Sequence, residues 1–188
     1  MSKFLLLLGP SGVGKSTIIE ELTRLDGRFT YISPYMTRPL RVGERNKVSI
    51  SAEQIDQMSF QGELLVVNEL FGGIRYGTPS APIVGALEKG DFPVLDWPID
   101  RLAVMTQAFP RQLYVVYVAP PSIDVLRSRL AGDGRDHGGR RMKSAVEELR
   151  RFSSGEFDEA CDMSLVSQEG KIPGVAFAIY EGYVRSLG

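Results

Sequence analysis

Near the start of the chain, Gly9-Pro10-Ser11-Gly12-Val13-Gly14-Lys15-Ser16-Thr17 has the residue types and spacing needed to hold a phosphate. The stretch satisfies G-x-x-x-x-G-K-[ST]. Its glycines let backbone N–H groups turn inward around anionic oxygens. A following helix would present its positive N-terminus to the same anion. Lys15 is placed to reach β- and γ-phosphates, and the Ser16 hydroxyl to coordinate Mg²⁺. A second requirement of such a site is a carboxylate at the end of a neighbouring strand. Val94-Leu95-Asp96 supplies one, so Asp96 is the expected metal partner, through water, with Asp100 as the alternative.

These residues need elements to position them. Phe4–Leu8 is an apolar run that reads as a buried strand feeding the loop. Lys15 to about Leu25 reads as a helix, with Ile18, Ile19, Leu22 and Leu25 on one face. Further along, strands are expected at Tyr31–Ser33, Val48–Ile50, Leu64–Asn68, Ile74–Tyr76, Val94–Asp96, Leu113–Val118 and Met163–Val166. Gly72-Gly73 between the third and fourth of these is a hairpin signal. Helices are expected at Ala52–Met58, Pro82–Lys89, Arg101–Phe109, Ser122–Leu130 (capped by Ser122), Arg141–Phe152 and Pro173–Leu187. Strands alternating with helices indicate an α/β fold with a mostly parallel sheet. The segment 31–80 breaks that alternation and reads as a smaller β-rich lobe.

Composition narrows the function. The 188 residues are 43% hydrophobic and 24% charged, as expected for one globular domain with a sizeable core. A net charge of −1, from 22 basic and 23 acidic residues, argues against a nucleic-acid partner. Leu5–Leu8 is too short to span a bilayer, and the residues before it make no signal-peptide n-region, so no membrane role is expected. The single cysteine, Cys161, fits a reducing, cytoplasmic setting and reads as a packing residue. With one Cys and one His (His137), a zinc site or a His-based triad is disfavoured. Seven arginines lie between Arg127 and Arg151. They read either as a solvated helix face or as a segment that covers phosphates. Trp97 either stacks on a ligand or anchors the core.

In order along the chain, several segments resemble a guanylate kinase. These are the GPSGVGKST loop, Thr37-Arg38-Pro39-Leu40-Arg41-Val42-Gly43-Glu44, Ile74-Arg75-Tyr76-Gly77-Thr78, the strand ending at Asp96, and Arg129-Leu130 followed by a Gly-rich loop and Arg141-Met142. The resemblance implies a P-loop nucleoside-monophosphate-kinase-like fold with a core (1–30 and 81–188), an acceptor-binding lobe (about 31–80) and an Arg-bearing lid (about 131–142). It implies transfer of the ATP γ-phosphoryl, with Mg²⁺, to the phosphate of a small acceptor, GMP or dGMP by family default. Pro10, Ser11, Gly12, Val13, Gly14, Lys15, Ser16 and Thr17 would then bind ATP. Arg38, Arg41, Tyr76 and Thr78 would bind the acceptor. Lys15, Arg141 and Arg135 would be catalytic, with Arg140 a further candidate in the lid. No general base is required, because a phosphate oxygen is already a nucleophile.

The sequence departs from the family where guanine is read. Pro34 stands at a serine position, and Pro98 replaces an acidic residue. Counting back from Tyr76, Val67 takes the place of a base-binding glutamate; a one-residue shift would put Val66 there, and Asn68 or Glu69 would reach it only by a slip the other way. The stretch between Glu44 and Ser51 is shortened and lacks a phosphate-holding tyrosine, for which Lys47 or Asn46 are stand-ins. Asp133 sits where an arginine is common. Polar recognition discriminates by ~10⁴–10⁵-fold, and that power is lost with its partners. The short lobe is also similar to that of ribose 1,5-bisphosphate phosphokinase, in Thr37-Arg38, Gly43, Asn46 and Ile50-Ser51. A non-catalytic guanylate-kinase-like protein-binding module is a further alternative, against which the intact Lys15 and Ser16 count.

Overall fold

The computed structural model describes residues 3–40, 44, 47–70, 73–132 and 138–188. Five strands, β1 (Phe4–Leu8), β2 (Phe29–Tyr31), β7 (Phe92–Asp96), β8 (Leu113–Ala119) and β9 (Met163–Val166), form an all-parallel sheet in the order β2-β7-β1-β8-β9. Every residue of β1 is buried because both faces of this central strand are covered. Alternation divides them between two cores. Leu5 and Leu7 pack with Ile18, Ile19 and Leu22 of α1 (Lys15–Leu25) and with Ile179 and Tyr183 of α7 (Ile172–Arg185). Phe4, Leu6 and Leu8 point the other way, towards Ile83 of α3 (Ala81–Lys89) and Leu102 and Met105 of α4 (Leu102–Ala108). Leu25, expected on the buried face of α1, is exposed at its last position. Pro93, which lacks an N–H, is tolerated in β7 because the ladder to β1 begins only at Val94.

A second sheet has the order β4-β3-β6-β5, from β3 (Tyr35–Met36), β4 (Val48–Ser49), β5 (Leu64–Leu70) and β6 (Ile74–Pro79). The β5–β6 hairpin is antiparallel, with Asn68 opposite Tyr76 and Val66 opposite Thr78. Helix α2 (Ala52–Phe60) precedes it and starts in a capping box. The Ser51 hydroxyl accepts from the Gln54 N–H, and the Gln54 side chain accepts from the Ser51 N–H. Helices α5 (Ile123–Gly132) and α6 (Arg140–Ser153) pack through Leu126, Leu130 and Ala145. Ser122 caps α5 as expected, accepting from the Val125 N–H at 3.2 Å. Phe152 of α6 stacks flat on Tyr117 of β8, with ring centroids 3.6 Å apart, which fixes α6 against the sheet.

Candidate functional site

A cleft of about 800 Å³ lies between the C-terminal ends of β1 and β7, the β5–β6 hairpin and helix α6. Ligands of open α/β sheets bind at this end of the strands. The loop from Gly9 forms its floor. Gly9 has φ +127, and a Cβ there would overlap the Val118 carbonyl oxygen. Gly12, at φ +85, packs on the Leu130 side chain of α5, 2.9 Å from where a Cβ would sit. No side chain caps the N-terminus of α1, and its first turn holds no acidic residue. Its N–H groups therefore remain available to an anion. The Lys15 ammonium curls back over the loop, donating to the carbonyl of Gly9 and, at 3.1 Å, to that of Pro10. Burial lowers the pKa of Lys15, against the pull of Asp96 and Glu148. Ser11, Gly12, Val13, Gly14, Lys15 and Ser16 all line the cleft. Pro10 takes part through its carbonyl, and Thr17 is exposed in the first turn of α1.

Asp96 ends β7 beside Leu7 of β1 and lines the same cleft as Ser16. The Tyr31 hydroxyl donates to its Oδ1 at 3.0 Å. Lys47 lies 4.0 Å from that oxygen, donates to Tyr31 Oη and sits over the Tyr31 ring. Carboxylate and hydroxyl oxygens are hard donors suited to Mg²⁺, which keeps waters and substrate phosphates among its ligands. Among the described residues no group of three or more His, Cys, Asp or Glu side chains could by itself hold a metal ion. Asp100, the alternative, lies at the rim of the cleft and ion-pairs with Arg151.

On the hairpin side, Arg38 is nearly buried, its guanidinium forked onto Glu44 at 2.7 and 2.6 Å. That pairing, opposed by desolvation and aided by the neighbouring Tyr76, holds Arg38 firmly charged. Tyr76 and Thr78 face the cleft, as expected. So does Asn68, because directly opposed residues in an antiparallel pair share a face. Val67 pairs with Gly77 and points to the other face. Val66, opposite Thr78, shares the face of Asn68. Pro34 and Pro98 also line this end of the cleft. Trp97 is buried in the second core, its indole N–H donates to the Arg101 carbonyl at 2.8 Å, and its side also lines the cleft.

Helix α6 supplies the remaining wall. Arg141 donates to the Ser11 hydroxyl from both Nε, at 3.2 Å, and Nη2. Arg140, Ser144, Ala145 and Glu148 line the cleft with it. Glu148 was not anticipated from sequence. Burial pushes its carboxyl up, while Lys15 pulls it down. Its Oε1 and the nearby Tyr117 hydroxyl are buried without well-formed hydrogen bonds. The spacing 141, 144, 145, 148 is one helical face and was the available signal. Arg129, on α5, donates to the carbonyls of Val13 and Ser167, each at 3.4 Å. The seven arginines thus divide. Arg129, Arg140 and Arg141 line the cleft, whereas Arg127 and Arg150 pair along their own helices with Asp124 and Glu147. Arg41, Arg135, Asn46, Asp133 and His137 lie outside the described residues.

The parallel sheet, the loop between β1 and α1 and the facing hairpin define the class: a P-loop fold of the nucleoside-monophosphate-kinase type. The chain belongs to the guanylate kinase family, whose family model, "Guanylate kinase", matches residues 1–168. A guanylate kinase of Nostoc sp. is 33% identical over 162 residues, covering 83% of this chain and 79% of that protein. A guanylate kinase of Gluconobacter oxydans is 37% identical over 162 residues, covering 82% and 76%. In fold, the chain is similar to the crystal structure of guanylate kinase from Anaplasma phagocytophilum, with TM-score 0.76, 22% identity and coverage of 98% and 85%.

Proposed function

We propose that this protein is an ATP-dependent kinase that moves the γ-phosphoryl of ATP onto the phosphate of a nucleoside monophosphate, with GMP as the acceptor. The observation that carries the reading is the convergence on one cleft of a phosphate-binding loop, a buried arginine on the facing hairpin side and an arginine from α6. In this reading residues 31–80 bind the acceptor, 131–142 form a lid, and the rest is the core. An acceptor phosphate oxygen attacks the γ-phosphorus as the bond to the β–γ bridging oxygen breaks, leaving ADP and a nucleoside diphosphate.

Lys15 and the loop N–H groups hold the β- and γ-phosphates. Arg38, Tyr76 and Lys47 hold the acceptor phosphate, for which Arg38 exchanges part of its pairing with Glu44. Arg141, one helical face from Ser11, stabilises charge on the transferring group. Ser16 and Asp96 would hold Mg²⁺, whose chemistry is to neutralise phosphate charge. A single cleft wall cannot do this: donor and acceptor phosphates must meet in line within a site that excludes water.

A second reading, a sugar-phosphate acceptor such as ribose 1,5-bisphosphate, is favoured by Pro34 and Pro98, which offer no side-chain donors or acceptors at the far end of the cleft. ADP release with Mg·ATP and GMP tests the proposal, with Lys15→Ala as the blank. Turnover of ~1–100 s⁻¹ is expected, and it should fall at least ~10²–10³-fold in Lys15→Ala. No turnover with GMP, together with turnover on ribose 1,5-bisphosphate, would replace the first reading by the second.

A further inference from the structure

Lys47 immediately precedes β4 of the second sheet, yet its ammonium reaches the parallel sheet. It donates to Tyr31 Oη, lies 4.6 Å from the centre of the Tyr31 ring and stands 4.0 Å from Asp96 Oδ1. The Tyr31 hydroxyl donates its own hydrogen to that same oxygen at 3.0 Å. The donors thus run in one direction, from Lys47 to Tyr31 to Asp96. Lys47 and Asp96 line the cleft together with Ser16, Arg38 and Tyr76. A second ammonium within electrostatic reach of Asp96, that of Lys15, is committed to the loop carbonyls of Gly9 and Pro10. Lys47 is the counter-charge that can turn away, because it is a compact charge on a flexible stem with a side chain 23% exposed.

We propose that Lys47 is a positioning residue that couples the acceptor phosphate to the divalent cation at Asp96. The inference rests on the kinase reading above. A dication beside Asp96 and an ammonium 4.0 Å from the same carboxylate oxygen repel each other and draw on one negative charge. Lys47 paired with Asp96 therefore weakens the hold on the cation. An acceptor phosphate beside Arg38 and Tyr76 offers the ammonium a charge-assisted hydrogen bond, a stronger partner than a carboxylate at 4.0 Å. As Lys47 turns to that phosphate, Asp96 is left to the cation, with the Tyr31 hydroxyl still orienting the carboxylate. The bridge is made by Lys47 and not by Arg38, which is forked onto Glu44. Coupling between two binding sites is reciprocal, so the cation favours the acceptor as much as the acceptor favours the cation.

The test is calorimetric titration of ADP into wild type and Lys47→Met, in Mg²⁺ and in EDTA, each alone and with saturating GMP or ribose 1,5-bisphosphate. The quantity read is the factor by which Mg²⁺ tightens ADP. In wild type, an acceptor that binds should raise that factor at least about fivefold. In Lys47→Met the factor should already stand at the raised level without acceptor, and neither acceptor should raise it further. The factor is a ratio within one preparation, so partial misfolding of the variant cancels from it. A factor in Lys47→Met equal to that of wild type without acceptor, or an acceptor that binds wild type and leaves the factor unmoved, would overturn the proposal. A raised factor in Lys47→Met, with neither acceptor binding to wild type, would instead overturn the reading of the acceptor and leave the opposition between Lys47 and the cation standing.

Discussion

Lys15 and Glu148 are linked through the cleft. The lysine ammonium is desolvated by the loop that it completes, and the glutamate carboxyl by α6 and β8. Each favours the charged form of the other, yet burial wins at both, lowering the lysine and raising the glutamate. For Glu148 the folded pKa lies above the unfolded one, so the folded state holds its proton more tightly. Its contribution is complete below the ordinary glutamate pKa and is lost as pH rises through the folded value. Glu148→Gln keeps the shape and removes the titration. Its melting temperature is expected to exceed that of wild type at pH 7 and to converge with it near pH 4, as thermal melts across that range will read. Cys161 behaves in the simpler way of a half-buried thiol. Burial pushes it up to about 11, which agrees with a packing role.

At the scale of elements, the position of α7 depends on a glycine for reasons of space. Gly182 is buried inside this helix, where alanine would gain about 1 kcal/mol from propensity. A Cβ there would overlap the Tyr114 hydroxyl and crowd the Met163 methyl, so β8 and β9 approach the helix too closely for any side chain. Overpacking of that kind costs about 1–3 kcal/mol, and the tyrosine ring cannot swing away as a flexible tip would. Gly182→Ala is therefore expected to destabilise by up to about 2 kcal/mol net, measured by the denaturation midpoint. An unchanged or raised midpoint would show that α7 can shift. Helix α6 is held by a different device, the Phe152–Tyr117 stack, which carries Arg141 and Glu148 to the cleft as one rigid face.

At the scale of the whole molecule, the cleft takes its walls from two sheets. The parallel sheet presents the loop of Lys15, and the second sheet presents Asn68, Tyr76 and Thr78, with Arg38 in the segment that follows β3. Damage to one wall should therefore leave the other intact. On the proposed reading, Arg38→Ala removes a nearly buried charged partner of the acceptor phosphate, worth about 1.5–3 kcal/mol, or ~10- to 100-fold in acceptor KM. Binding of ATP, followed by calorimetry, is expected to stay within about twofold. A matching loss of ATP affinity would show that the two walls are not independent.

The phosphate-binding half of the cleft was legible in the chain because its requirements are local. A loop of fixed spacing, a strand before it and a helix after it are contiguous from Phe4 to Leu25, and backbone geometry demands the glycines. The order of strands and helices also followed from period and punctuation, and with it the α/β class. The acceptor half was not legible to the same degree. Whether Val67, or Val66 and Asn68, lie on the cleft face of β5 depends on hairpin register, where a slip of one residue exchanges the two faces, and only the pairing of Asn68 with Tyr76 decides it. The burial of Trp97 at the edge of the cleft and the arrival of Glu148 within electrostatic reach of Lys15 are likewise products of packing. Sequence by itself determined which chemistry the chain carries, because that chemistry is written in neighbouring residues. Tertiary structure decided which side chains line the far end of the cleft, because those come from separate elements whose faces are fixed only when they pack.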